Sequence, residues 1–91
     1  MQLQIVTPEA TLFEGNVDGV AVPGVNGEFQ MLDNHAPIVS LLTEGTVRIL
    51  GEVKLDAAVA DQFKKIAGAT ELHIKGGVLE MNGKKAIVLA D

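Results

Sequence analysis

At 91 residues the chain has room for one domain, read here as 1–91, near the lower end of what folds alone. Seven Lys and Arg against twelve Asp and Glu leave a net charge of −5, which argues against nucleic acid and against docking on anionic lipid. With no cysteine there is no disulfide, thiolate metal site or thiol nucleophile, and with only Phe13, Phe29 and Phe63 as aromatics the core falls to Val, Ile, Leu and Ala.

From the N-terminus, Leu3 and Ile5 share a face opposite Gln2 and Gln4, and Thr7 and Pro8 mark a turn. Glu14, Gly15 and Asn16 mark the next. Val20 and Val22 then alternate across Ala21, and Phe29 and Met31 across Gln30, with Pro23, Gly24, Asn26 and Gly27 turning the chain between them. Beyond Asp33 and Asn34, Pro37 fixes the direction of an apolar run. Glu44 and Gly45 lead into Val47 and Ile49, which alternate across Arg48. Leu72 and Ile74 lie opposite His73 and Lys75, which face solvent in this reading. Alternation of period two at intervals of roughly 8–12 residues predicts an all-β fold, an antiparallel β-sandwich or flattened barrel. Asn82 and Gly83 suit a type I′ turn, so 78–81 and 85–89 are predicted to form a hairpin.

One segment departs from this rhythm. Leu55, Ala58, Val59, Phe63 and Ile66 recur at helical spacing, Asp56 can cap the start, Asp61 and Lys65 form an i,i+4 pair, and Gly68 fits just past the end. The spacing predicts a short helix over 56–67, packed as a lid on the sandwich.

Three chemical readings compete for the turn-rich stretch 23–42. A phosphate loop needs a Gly-rich turn, a Lys with Ser or Thr, and a helix start. Here the glycines lead into a strand pattern with no basic residue after them, so Gly24 and Gly27 read as turn formers. His35 stands near Asp33 but beside no Ser, Thr or Cys in a catalytic pattern, and two histidines without cysteine would need two carboxylates to close a zinc site. No catalytic residue, metal site or cofactor is therefore assigned. A lipoyl- or biotinyl-carrier domain, small, acidic and all-β, remains an alternative, with Lys84 or Lys85 as the modified residue near a hairpin tip.

Taken together, Thr7, Pro8 and Glu9, then Leu12, Phe13 and Gly15, Pro23 and Gly24, Gly27 and Glu28, His35, Ala36 and Pro37, Gly45, Gly76 and Gly77, and finally Val88 to Asp91 follow one another in an order that resembles the N-terminal domain of F-type ATP synthase epsilon subunits. The resemblance covers nearly the whole chain and implies a β-sandwich of ten strands. Family members cross to the strand at Gly76 and Gly77 by a shorter route, so 56–69 reads as an insertion. They also continue beyond the point matching residue 91 into a helical hairpin that restrains ATP hydrolysis and in some members binds ATP. The sequence stops at Asp91, as a naturally short form or as part of a longer chain, and neither role falls on a residue present.

The resemblance implies a non-catalytic rotor subunit of a proton-translocating ATP synthase, clamping the gamma subunit to the c ring at the cytoplasmic face of a bacterial inner membrane. It places Val25, Asn26, Gly27 and Glu28 in the loop that meets the c ring, and Thr7, His35 and Ser40 on the side facing gamma. No nucleic acid and no direct membrane insertion are expected. Composition alone leaves two readings of the apolar surplus, an outward adhesive patch or simply a tight core.

Overall fold

The structure, a computed structural model, describes residues 1–33 and 35–91, with the side chain of His35 outside the description. The described residues form ten strands: β1 (Gln2–Val6), β2 (Thr11–Asn16), β3 (Gly19–Gly24), β4 (Gly27–Met31), β5 (His35–Leu42), β6 (Gly45–Leu50), β7 (Phe63–Ile66), β8 (Ala69–Ile74), β9 (Gly77–Gly83) and β10 (Lys85–Ala90). They make one continuous curled sheet in the order β2, β1, β10, β9, β5, β3, β6, β8, β7, with β4 paired to β3 alone. All pairings are antiparallel except that of β1 with β10.

The curl turns at one corner. β3 pairs with β6 over Gly19, Val20 and Ala21 and with β5 only where Gly24 meets Leu42. The chain running from β5 into β6 thus leaves one half of the sheet and enters the other. Glycine is required at this corner, because a Cβ on Gly24 would lie 2.7 Å from the Phe29 ring and 2.9 Å from the Gly27 carbonyl oxygen. The halves face each other across one core. Leu3 and Ile5 of β1, Leu79 and Met81 of β9 and Val88 of β10 meet Val20 and Val22 of β3, Met31 of β4, Val47 and Ile49 of β6 and Leu72 of β8. The inward positions alternate along β1, β6, β8, β9 and β10, as period-two patterning requires.

The predicted helix over 56–67 is not formed. Only a single 3₁₀ turn, Ala60–Gln62, occurs there, and the chain then enters β7. The capping signal was locally real: the Ala58 amide donates to Asp56 Oδ1 at 2.9 Å and the Val59 amide to the Asp56 carbonyl at 3.0 Å. It produced one turn and stopped. An isolated helix of this length is marginal in water, whereas β7 satisfies the edge of β8 with a full ladder, Phe63 opposite Leu72 through Ile66 opposite Ala69. Phe63 enters the core, and Lys65 donates to the Val53 carbonyl at 3.3 Å rather than pairing with Asp61. Segment 56–69 thus carries the outermost strand of the sheet.

The hairpin of β9 and β10 is present with its turn one residue later than expected. Asn82 pairs with Lys85, leaving Gly83 and Lys84 as the turn, with φ +64° at Gly83 and no positive φ at Lys84, as in a type II′ turn. Both central residues have positive φ instead between β7 and β8, at Ala67 (46°) and Gly68 (84°). Among the described residues no helix is long and apolar enough to cross a membrane.

Candidate docking surface

Register lines up the outward residues of the first half of the sheet. Val6 of β1 is opposite Leu89 of β10, Leu89 opposite Val78 of β9, and Val78 opposite Leu41 of β5. The next outward line runs Gln4, Ile87, Glu80, Val39. Between these two lies the inward line of Ile5, Val88 and Leu79, all fully buried. Leu41 is 63% exposed, Val39 72% and Leu89 45%. These large apolar side chains share one face of a rigid sheet, so the apolar surplus is partly an outward patch, not core alone. The underlying signal lies in β5 (HAPIVSLL) and β10 (KAIVLA), where apolar residues occupy both faces of the strand.

The hairpin of β3 and β4 extends this patch. Its tip is Val25 and Asn26, and the residue with positive φ is Gly27 (120°), the arrangement of a turn closed by a glycine. Val25 is 58% exposed and its amide donates to the Leu41 carbonyl at 3.3 Å, tying the tip to the end of the apolar line. Asn26, Gly27 and Glu28 are all exposed.

The residues expected to face gamma are not brought into one cluster. Thr7 follows directly on Val6 and caps a tight turn: its amide donates to the Ala10 carbonyl at 2.8 Å, and the Ala10 amide donates to Thr7 Oγ1 at 3.2 Å. His35 begins β5 at the opposite end of the same sheet, its backbone paired with Gly83, and its side chain lies outside the described residues. Ser40 shares the inward line with Leu79, is half-buried, and opens onto a cleft of 330 Å³ lined also by Gly24, Val25, Glu28, Phe29 and Ile38. Ser40 thus keeps company with the hairpin-tip residues rather than with Thr7.

Among the described residues no group of three or more His, Asp or Glu could hold a metal ion. His73 and Glu44 meet at 3.2 Å on the surface, both well exposed. Lys84 occupies the β9–β10 turn, where its carbonyl accepts the Gln2 amide at 2.8 Å, and Lys85 starts the returning strand.

Fold and surface define an all-β sandwich module whose distinguishing feature is an apolar sheet face joined to an exposed hairpin tip. Residues 1–91 match the model of the beta-sandwich domain of the ATP synthase delta/epsilon chain. Among curated relatives, the ATP synthase epsilon chain of Chlorobaculum tepidum is 38% identical over 98% of this chain and 86% of its own length. That of Chlorobium limicola is 37% identical over 99% of this chain and 88% of its own length. That of Desulforamulus reducens is 36% identical over 99% of this chain and 58% of its own length. In fold, the chain superposes with a TM-score of 0.68 at 13% identity on a chain from the central stalk and c ring of the Tetrahymena thermophila mitochondrial ATP synthase, covering 98% of this chain and 61% of that one. The chain belongs to the ATP synthase epsilon chain family. That membership sets aside the carrier-domain reading of Lys84 and Lys85.

Proposed function

We propose that this chain is a non-catalytic rotor joint of a proton-translocating F-type ATP synthase, held peripherally at the cytoplasmic face of a bacterial inner membrane by its partner subunits. The apolar face of β1, β10, β9 and β5 packs on the gamma subunit, and Val25, Asn26, Gly27 and Glu28 meet the c ring. The observation that carries this reading is the unbroken line Val6, Leu89, Val78, Leu41, tied to Val25 at the hairpin tip. A joint under torque needs two grips on one stiff body, and the continuous ladder from the sheet face to the tip supplies it.

Thr7 and His35 mark the two ends of the gamma contact. β1 spans five residues, about 17 Å at ~3.4 Å each. A standard interface of roughly 800 Å² per partner is about 28 Å across, so one contact reaches both ends. Ser40, on the inward line beside the hairpin tip, lies outside the outward face that this contact covers.

Leu41→Asp tests the gamma contact. The side chain is mostly exposed, so the isolated chain keeps its stability, while binding to purified gamma subunit weakens at least about tenfold, the effect of placing a charge in an apolar interface centre. Unchanged gamma binding would refute the assignment. Glu28→Lys tests the tip: reconstituted enzyme should lose coupling of proton flow to ATP synthesis, and retained coupling would remove Glu28 from the c-ring contact.

A further inference from the structure

One charge interrupts the apolar face. Glu80 of β9 is exposed, directly opposite Ile87 of β10 on one side and Val39 of β5 on the other. Val78, Leu41 and Leu89 fill the neighbouring outward line. Further along the line of Glu80, Gln4 is neutral, and Glu14 of β2, opposite Gln4, is negative again. Among the described residues no cation of the chain pairs with Glu80. Lys85 lies opposite Asn82, one outward line away, and the ion pairs join the Met1 amine to Asp33 and His73 to Glu44.

A carboxylate in this place constrains whatever covers the face. Directly opposed residues on neighbouring strands have Cβ atoms about 4.5–5.5 Å apart. Val39 is 72% exposed, so a partner that takes it out of water also takes water from Glu80. A carboxylate stripped of water without a counter-charge costs more than burying one valine returns. The surface beside it has room for that counter-charge. Pro37, Ile38, Val39 and Met81 line an open depression of 330 Å³ together with Glu80 and Asn82. The first four are apolar, which suits the methylene stem of a lysine or arginine lying along them with its charged head at the carboxylate.

We propose that Glu80 sets the specificity of the gamma contact, holding a lysine or arginine of the gamma subunit in an ion pair whose stem lies in the depression beside Val39. The inference rests on the rotor reading and names the chemistry that gamma brings to the face assigned to it there. The apolar line supplies attraction without direction. A covered charge pair fixes the register, because a sideways shift of the partner leaves both charges unmet. Once covered, the pair is screened far less than an exposed one, so gamma binding stays weakly dependent on salt.

The test uses the full chain and purified gamma subunit. Glu80→Leu makes the face more apolar, so the sign of its effect decides: gamma binding should weaken at least about tenfold if a cation meets Glu80, and strengthen if none does. The photo-crosslinker benzoylphenylalanine at Val39 locates the gamma segment that covers this place. Glu80→Lys should abolish binding, and changing one basic residue of that segment to Glu should restore it. Tighter or unchanged binding of Glu80→Leu, or failure of every such exchange to restore binding, would overturn the inference and leave the gamma contact standing. No gamma adduct from Val39, together with unchanged binding of Leu41→Asp, would overturn the rotor reading and the inference with it.

Discussion

Ala67 is the one non-glycine among the described residues with positive φ, at 46°, where a Cβ meets the following carbonyl oxygen. The hairpin between β7 and β8 needs that conformation at both central positions, and only Gly68 adopts it freely. Ala67→Gly should stabilise the chain by about 0.5–1 kcal/mol, read as a higher urea midpoint at constant slope. Gly77 shows the converse. Its φ is 152°, and a Cβ there would lie 2.2 Å from the Leu89 carbonyl oxygen, inside the pairing of β9 with β10. Gly77→Ala should cost about 3 kcal/mol or more, since the obstacle is backbone and cannot rotate away.

β7 carries the lesson at the scale of the element. Phe63 is buried at 7% exposure, opposite Leu72, and Phe63→Ala should destabilise by about 3–5 kcal/mol in urea unfolding. Circular dichroism of the intact chain should likewise lack the helical minimum that a helix over 56–67 would add. Sequence periodicity made Leu55, Val59, Phe63 and Ile66 look helical because a spacing of three and four also samples both faces of extended chain. What decides the outcome is the partner: β8 has an open edge, and that requirement comes from strands far along the chain. The strands at Leu3 and Ile5, Val20 and Val22, and Val47 and Ile49 were legible because each buries one face and alternates cleanly. The β9–β10 hairpin was legible except for its turn, since Asn82, Gly83 and Lys84 offer two adjacent two-residue loops and register from β5 and β1 selects between them. The docking face was legible only as a surplus. Strand pairing decides which residues form it, because Ser40, Val88 and Leu79 hold the inward positions and leave Val39, Leu41 and Leu89 outward.

The molecule presents two surfaces of different physics on one sheet. The face at Val39, Leu41 and Leu89 is apolar and its attraction does not depend on ionic strength, whereas the tip at Glu28 is exposed and its contribution is screened within about 8 Å at physiological salt. The two contacts should therefore separate on a salt titration. Binding of the chain to purified gamma subunit should hold or strengthen as sodium sulfate is raised so that ionic strength goes from about 0.15 to 1 M, which shortens the Debye length from about 8 to 3 Å. Attachment to the c ring should weaken over the same range, and Glu28→Gln should flatten that dependence while altering gamma binding by less than about twofold. Gamma binding that falls steeply with salt would mean that polar contacts, and not the line from Val6 to Leu41, hold the joint.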